Sequence, residues 1–387
     1  MGLINSSASR RRSKDDLEVV LCTVRGPRAG GCEQSFQCGK VGCKGLEKAP
    51  DTTENFVHEP GEQMHFLVLS TKCVLMAIIS SPNSTTIFVL LGLPSAPQHR
   101  YASMVVFLSI YLMTIVGNTV VLTATISDNH LHTPMYFFLA NLSILEMCYT
   151  TVTIPNILNN IVTQRDIISF WGCICQVYVF TLCATTECVL LAIMAYDRYV
   201  AICLPLRYRV IINQALCLQF SSTAWTSGIV NSIIQSLPTS LLSFCGLNKV
   251  DRLYCEVQPL LQLSCTDAYI NKILTSVSAM VFGAGFMTFI FVTYVFIVAA
   301  ILRIPSLSGR QKAFSTCSSH MTVVIMYYGG LIFMYMRPTS TDTGKMDSVV
   351  SAFYCMVIPV LNPIIYSLRN REVKQAIQKI FLFKLCN

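Results

Sequence analysis

Near the middle of the chain the run "MAYDRYVAIC", residues 194 to 203, sets an acid beside a base, Asp197 and Arg198, at the end of a long apolar stretch. Ionised side chains are costly among apolar neighbours and mark a functional site or an edge. A guanidinium that can exchange one carboxylate for another partner is a two-state switch; the plainer reading is an anchor at lipid headgroups. Two more carboxylates, Glu146 and Glu187, lie deep in apolar runs. Close together they cannot both ionise cheaply, so they share a proton, hold a cation such as Na⁺, or stay protonated for packing. His320 has no second metal ligand in view, so a structural or partner-facing contact is expected rather than a metal or pH role. No phosphate loop, His-Glu-x-x-His or Gly-x-Ser-x-Gly motif is present, and no enzyme is expected.

The elements that must carry these groups are apolar helices. Of 387 residues 53% are hydrophobic and 12% charged, where soluble domains carry about 25% charged. Residues 1–75 hold 10 of the 28 basic and 9 of the 20 acidic side chains. That contrast divides a polar extension, 1–75, expected to be disordered, from a membrane body, 76–387. Apolar runs of about 20 residues cross a bilayer as helices, and seven are expected: about 102–126, 136–161, 173–202, 215–237, 273–302, 313–336 and 346–368. Backbone groups in lipid must be satisfied within each helix, so the fold class is an all-α seven-helix membrane bundle. Basic residues of short loops favour the cytoplasm. Arg207, Arg209, Arg303, Arg310 and Lys312 then fall inside, which puts the N-terminus outside and Arg198 at the cytoplasmic mouth of the third helix.

Four cysteines fall on the oxidising outer side, Cys173, Cys245, Cys255 and Cys265, and allow three pairings. In the extension, Cys32, Cys38 and Cys43 fit zinc spacing poorly, and no metal is expected there. The stretch 66–79 is apolar but too short to span. At the C-terminus, "LRNREVKQAIQKIFLFK" (368–384) reads as an amphipathic helix whose lysines face anionic lipids. Membrane lipids are therefore expected partners, and nucleic acid is not.

Six motifs in order carry a resemblance: Gly117-Asn118; "LHTPMYFFLANLSILE" (131–146); "MAYDRYVAIC"; "PLRY" (205–208); "KAFSTCSSH" (312–320); and "PVLNPIIYSLRN" (359–370). With them, and with Trp225 midway along the fourth helix, the body from about residue 76 resembles the odorant receptors of the rhodopsin-like G-protein-coupled class, tetrapod (class II) type. It departs from them at Leu204, where a His is common, at "YYGG" (327–330), and in the long extension. The usual short glycosylated tail would begin near Met76, with a sequon at Asn83.

The resemblance implies a plasma-membrane receptor that binds a small hydrophobic odorant and activates a heterotrimeric G protein of the stimulatory olfactory type, raising cAMP. It implies that Asp197 restrains Arg198 at rest, and that the freed arginine and Tyr199 act with Tyr294 and Tyr366. Asn362 and Pro363 would bend the seventh helix so that Tyr366 can move. Asn118, Glu146 and Glu187 would form an inner ion and water network. The ligand pocket projects onto Phe180, Thr181, Ala184 and Thr185, then Ser278 and Phe282, then Tyr328, Leu331, Ile332 and Tyr335. With the resemblance goes the pairing Cys173–Cys255 plus Cys245–Cys265. Phe180 stands where amine receptors need an acid, and the seventh helix has no lysine for a retinal Schiff base. Two other readings remain open: a seven-helix receptor for a non-odorant metabolite, and a proton-coupled transporter using Glu146 and Glu187, which would call for inverted repeats that the two halves do not display.

Overall fold

The computed structural model describes residues 87–93, 97–246, 248–336, 353–369, 373–376 and 378. All of them fall in one compact unit, Val68–Asn387. The extension 1–75, Asn83 and most of the C-terminal amphipathic run lie outside the described residues.

Local chemistry sets the helix ends. Helix α1 is Pro97–Ser127. Helix α2, Pro134–Thr163, starts from an extended Thr133 with proline in its first turn, where the missing amide costs nothing. Helix α3, Phe170–Cys203, begins at Ser169, whose hydroxyl accepts from the Gly172 amide, and α4, Gln214–Ser240, begins at Asn213, which accepts from Leu216. These are ordinary N-caps. Helix α5 runs Tyr269–Leu302 and contains a π-helical stretch, Ala279–Gly285. Helix α6 is Leu307–Met336, six residues earlier than expected, because Ser306 accepts from the Gly309 amide and lets the polar stretch before Ala313 join the helix. A π turn, Phe353–Val357, leads into α7, Ile358–Arg369.

Among the described residues, α1, α2, α3 and α5 are long and apolar enough to cross a membrane. Helix α4 falls short because Ser, Thr, Asn and Gln dilute it. Helix α3 is the hub: it packs most extensively on α4 and α5, with α2 on another side, while α7 lies against α1 and α6.

Exclusion of water does not hold helices together in lipid; close packing and interhelical hydrogen bonds do. Ser221 and the Trp225 indole on α4 both donate to Asn141 Oδ1 on α2, at 2.8 and 3.0 Å. Asn231 on α4 donates to Thr185 on α3 (2.8 Å). Gln235 on α4 donates to the Leu274 carbonyl of α5 and accepts from Thr275. Between α3 and α4 the fit is tightest at Gly228, where a Cβ would meet Thr186 Oγ1 at 2.2 Å and the Leu182 carbonyl at 2.8 Å.

The end of the bundle opposite Arg198 holds a small sheet that the sequence analysis does not foresee. Strand β1 (Ile87–Leu90) pairs antiparallel with β2 (Ile167–Ser169) and parallel with β3 (Lys249–Val250). Strands of two to four residues are too short to display a period of two. Phe88, Leu90, Ile168, Phe170 and Phe244 form a buried core beneath it, and the Cys173–Cys255 disulfide lies in the same core. A second bond joins Cys245 to Cys265.

Gly228→Val should cost about 1–3 kcal/mol by overpacking and lower the melting temperature of the purified chain. Gly329→Ala, with nothing among the described residues within 4 Å of an added Cβ, should leave it unchanged. Opening Cys173–Cys255, which closes 82 residues, should destabilise more than opening Cys245–Cys265, which closes 20. Loop-closure entropy predicts about 4.5 against about 3.3 kcal/mol, readable as the order of melting temperatures of the paired serine variants.

Candidate functional site

At the end of α3, Asp197 is 1% exposed and holds two partners. Arg198 donates to its Oδ2 from Nε at 3.0 Å and from Nη2 at 2.5 Å. Tyr208 donates to Oδ1 at 2.7 Å. Tyr208 reaches back because the Pro205–Arg207 turn reverses the chain into a short helix, Tyr208–Ile211. Burial first, then the charge of Asp197, push the Tyr208 phenol upward, so it remains a donor at neutral pH. Tyr199 stacks on Tyr196 and meets Phe296 of α5 edge-on. Nearby, the Tyr294 hydroxyl on α5 lies 2.6 Å from His320 Nδ1 on α6, with the rings nearly parallel. His320 is thus an interhelical hydrogen-bond partner. Tyr366 on α7 is buried, and its hydroxyl has no partner among the described residues.

One level deeper, Asn362 of α7 donates from Nδ2 to Glu146 Oε1 of α2. Asn118 of α1 donates to the Thr114 carbonyl (3.1 Å) and to the Pro359 carbonyl of α7 (3.3 Å). A Cβ at Gly117 would sit 3.2 Å from the Pro363 ring, so α1 and the bend of α7 are in close contact. Glu187 on α3 is 6% exposed and interacts electrostatically with Glu146. Four oxygens there have no hydrogen-bond partner among the described residues: Glu146 Oε2, Glu187 Oε1, Asn362 Oδ1 and the Tyr366 hydroxyl. Orphaned oxygens of this hard type suit a small cation or ordered water.

The projected pocket residues do not all converge. Phe180 lies between Tyr149 of α2 and Tyr254 of the loop joining α4 to α5, with ring centroids 4.9 and 5.2 Å away. The Tyr254 hydroxyl pairs with the Cys355 thiol, and Tyr149 approaches the same sulfur at 3.4 Å. Ala184 accepts through its carbonyl from Tyr327 (2.7 Å). Tyr328 is buried beside Cys188. Thr181, Ser278 and Leu331 are half-buried. Thr185 faces α4 through Asn231. Phe282 lines a groove against α4. Ile332 is 41% exposed, and the Tyr335 side chain lies outside the described residues.

Residues 107–384 match the olfactory receptor family. The chain is 46% identical over 298 residues to human olfactory receptor 13D1, covering 77% of this chain and 86% of that one. It is 44% identical over 300 residues to human olfactory receptor 2B2, covering 78% and 84%. Against mouse olfactory receptor 8U9 the identity is 42% over 299 residues, covering 77% and 95%. The chain belongs to the olfactory receptor family.

This olfactory receptor is therefore a G-protein-coupled signalling protein of the plasma membrane, multi-pass, and not an enzyme. Several of its site residues escape a reading of the sequence alone. Tyr208 is eleven positions from Asp197, and only the intervening turn joins them. Tyr254 is an ordinary loop tyrosine until its neighbour Cys255 is fastened to α3. Cys355 reads as a small buried apolar residue until two hydroxyls reach it.

Removing the Asn362 amide takes away a donor to Glu146, at a cost of about 1–3 kcal/mol. Asn362→Ala should lower the receptor's melting temperature. In a Glu146→Leu background the same change should cost markedly less, and a double-mutant cycle reads that coupling.

Proposed function

We propose that this olfactory receptor binds a small, mostly hydrophobic volatile among the outer halves of α3, α5 and α6 and activates a stimulatory olfactory G protein, raising cAMP. Seven helices span the membrane in this reading, with the N-terminus outside and the C-terminal run lying on the inner headgroups. The observation that carries it is the arrangement along one helix. Helix α3 bears Phe180 beneath the disulfide-fastened loop and, at its far end, Arg198 held by a carboxylate that Tyr208 shares.

A ligand favours one arrangement of such a bundle only by the difference in its affinity for the two. A volatile that packs on Phe180 and finds one hydroxyl donor, such as Tyr328, gains that difference through burial and one hydrogen bond. At the inner end, a displaced Arg198 would leave Asp197 to Tyr208 and present its guanidinium to the G protein. Between them, Glu146, Glu187 and Asn362 form the network that a Na⁺ ion would hold in the resting arrangement. Basic loop residues on the Arg198 side support the orientation. Disulfides at the opposite end fit an oxidising exterior.

A cAMP reporter in cells supplied with the olfactory G protein, screened against a broad odorant panel, tests this reading. The full chain and a version starting at Met76 are each compared with their Arg198→Ala variants. A response to at least one odorant, lost by tenfold or more in Arg198→Ala at equal surface expression, is expected. Surface-expressed receptor that stays silent throughout, or a response indifferent to Arg198, rules the reading out.

A further inference from the structure

Helices α4 and α5 are tied at the end opposite Arg198, where Gln235 donates to the Leu274 carbonyl and accepts from Thr275. Toward Arg198 a groove of about 520 Å³ runs along α4, with Ser222, Thr226, Ser227, Val230 and Asn231 on one wall and Phe282 of α5 on the other. That volume suits a small organic molecule. Phe282 belongs to the π-helical stretch Ala279–Gly285 and stacks on Phe286. Two residues expected in the ligand pocket meet here instead: Phe282 as a wall, and Thr185 as the partner of Asn231.

The groove opens on the face of α4 that meets the bilayer, where Leu218, Val230 and Ile234 are exposed. Hydrocarbon offers a polar side chain no hydrogen bond, yet the α4 wall is mostly polar. Thr223 and Ser227 turn their hydroxyls back to carbonyls of their own helix, at 2.8 and 2.7 Å. Ser222 and Thr226 have no side-chain hydrogen-bond partner among the described residues. Asn231 is 6% exposed and gives its Nδ2 to Thr185 Oγ1 at 2.8 Å, while no described residue donates to its Oδ1. The groove therefore holds a buried amide with one end unused, flanked by hydroxyls and faced by an aromatic ring.

We propose that this groove is a second ligand site, which takes an aliphatic alcohol from the bilayer, its hydroxyl on Asn231 and Thr226 and its chain along Val230, Ile234 and Phe282. The choice of an alcohol follows from the amide. A hydroxyl donates and accepts at once, so it pairs with Asn231 whichever way that amide is turned. An alcohol dissolved among lipid tails has no partner for its hydroxyl, and the groove supplies one. An alkane gains nothing there, because it leaves one apolar surface for another. The site goes beyond the odorant site proposed above and rests only on α4 and α5 standing in the bilayer. Its occupant touches the π stretch directly, through Phe282.

The full-length receptor in phosphatidylcholine nanodiscs, photolabelled with a diazirine-bearing octanol and mapped by mass spectrometry, tests the site. Saturable labelling is expected within 222–234 or at Phe282, competed by 1-octanol but not by octane at equal concentration in the bilayer. Val230→Trp, which fills the groove from an exposed position, should abolish it. Asn231→Leu should weaken competition by 1-octanol about fivefold or more. Val105→Trp, equally exposed but on α1, and Phe180→Ala should leave labelling unchanged. Labelling that never saturates is partition into lipid and overturns the proposal, as does labelling indifferent to Val230→Trp or competed equally by octane. Labelling lost when two receptors share one nanodisc gives the groove to a second copy of the chain and overturns it too.

Discussion

In a bilayer, every side-chain amide, hydroxyl or carboxyl must find a partner on its own helix or on another, because the surrounding hydrocarbon offers it nothing. The structure depends on that constraint throughout. Asn141 on α2 collects Ser221 and Trp225 from α4. Gln235 ties α4 to α5, Asn118 ties α1 to α7, and Asn362 ties α7 to α2. Each tie is a single side chain reaching across. Small residues such as Gly117 and Gly228 bring the helices close enough for those reaches to succeed.

The same constraint explains where the bundle can change shape. Bonds that join two apolar helices have no competing partner and resist opening. Those at the ends of α3 do have one: water, a loop hydroxyl, or another protein. Asp197 accepts from an arginine and a tyrosine at once, so neither donor holds it exclusively. The oxygens around Glu187 and Tyr366 that have no partner among the described residues are one interior exception. They form a polar volume whose contents can alter without breaking the ties around it.

How much of this was legible in the sequence follows from the range of each interaction. Asp197 and Arg198 are neighbours in the chain, and a charged pair ending an apolar run announces itself. Glu146 and Glu187 stand out because carboxylates are rare in such runs, though the α7 residue that donates to Glu146 lies 216 residues away. Helix existence was readable from apolar length, while the start of α6 moved because a serine cap recruits polar residues. The sheet was not readable, since its strands are two to four residues long and pair across the chain. Rotation about a helix axis was the weakest inference: Thr185 faces α4 and Ile332 faces outward, although both lie at the expected depth. Spacing fixes which residues share a face, but not which neighbour that face meets.

Rotation is also what the π stretch in α5 controls. Beyond Ala279–Gly285 the buried positions are Ile290, Thr293, Tyr294 and Ile297, an ordinary helical stripe that brings Tyr294 to His320. Before it, Asn271 is buried and Thr275 turns to Gln235 of α4. A π turn holds an additional residue relative to an α turn, and each residue advances a helix by about 100°. The two halves of α5 are therefore set out of phase by the loop-free insertion between them, like two gears keyed to one shaft at different angles. Converting that stretch to regular α-helix would turn one half against the other and change which residues α5 shows to its neighbours without altering a single side chain.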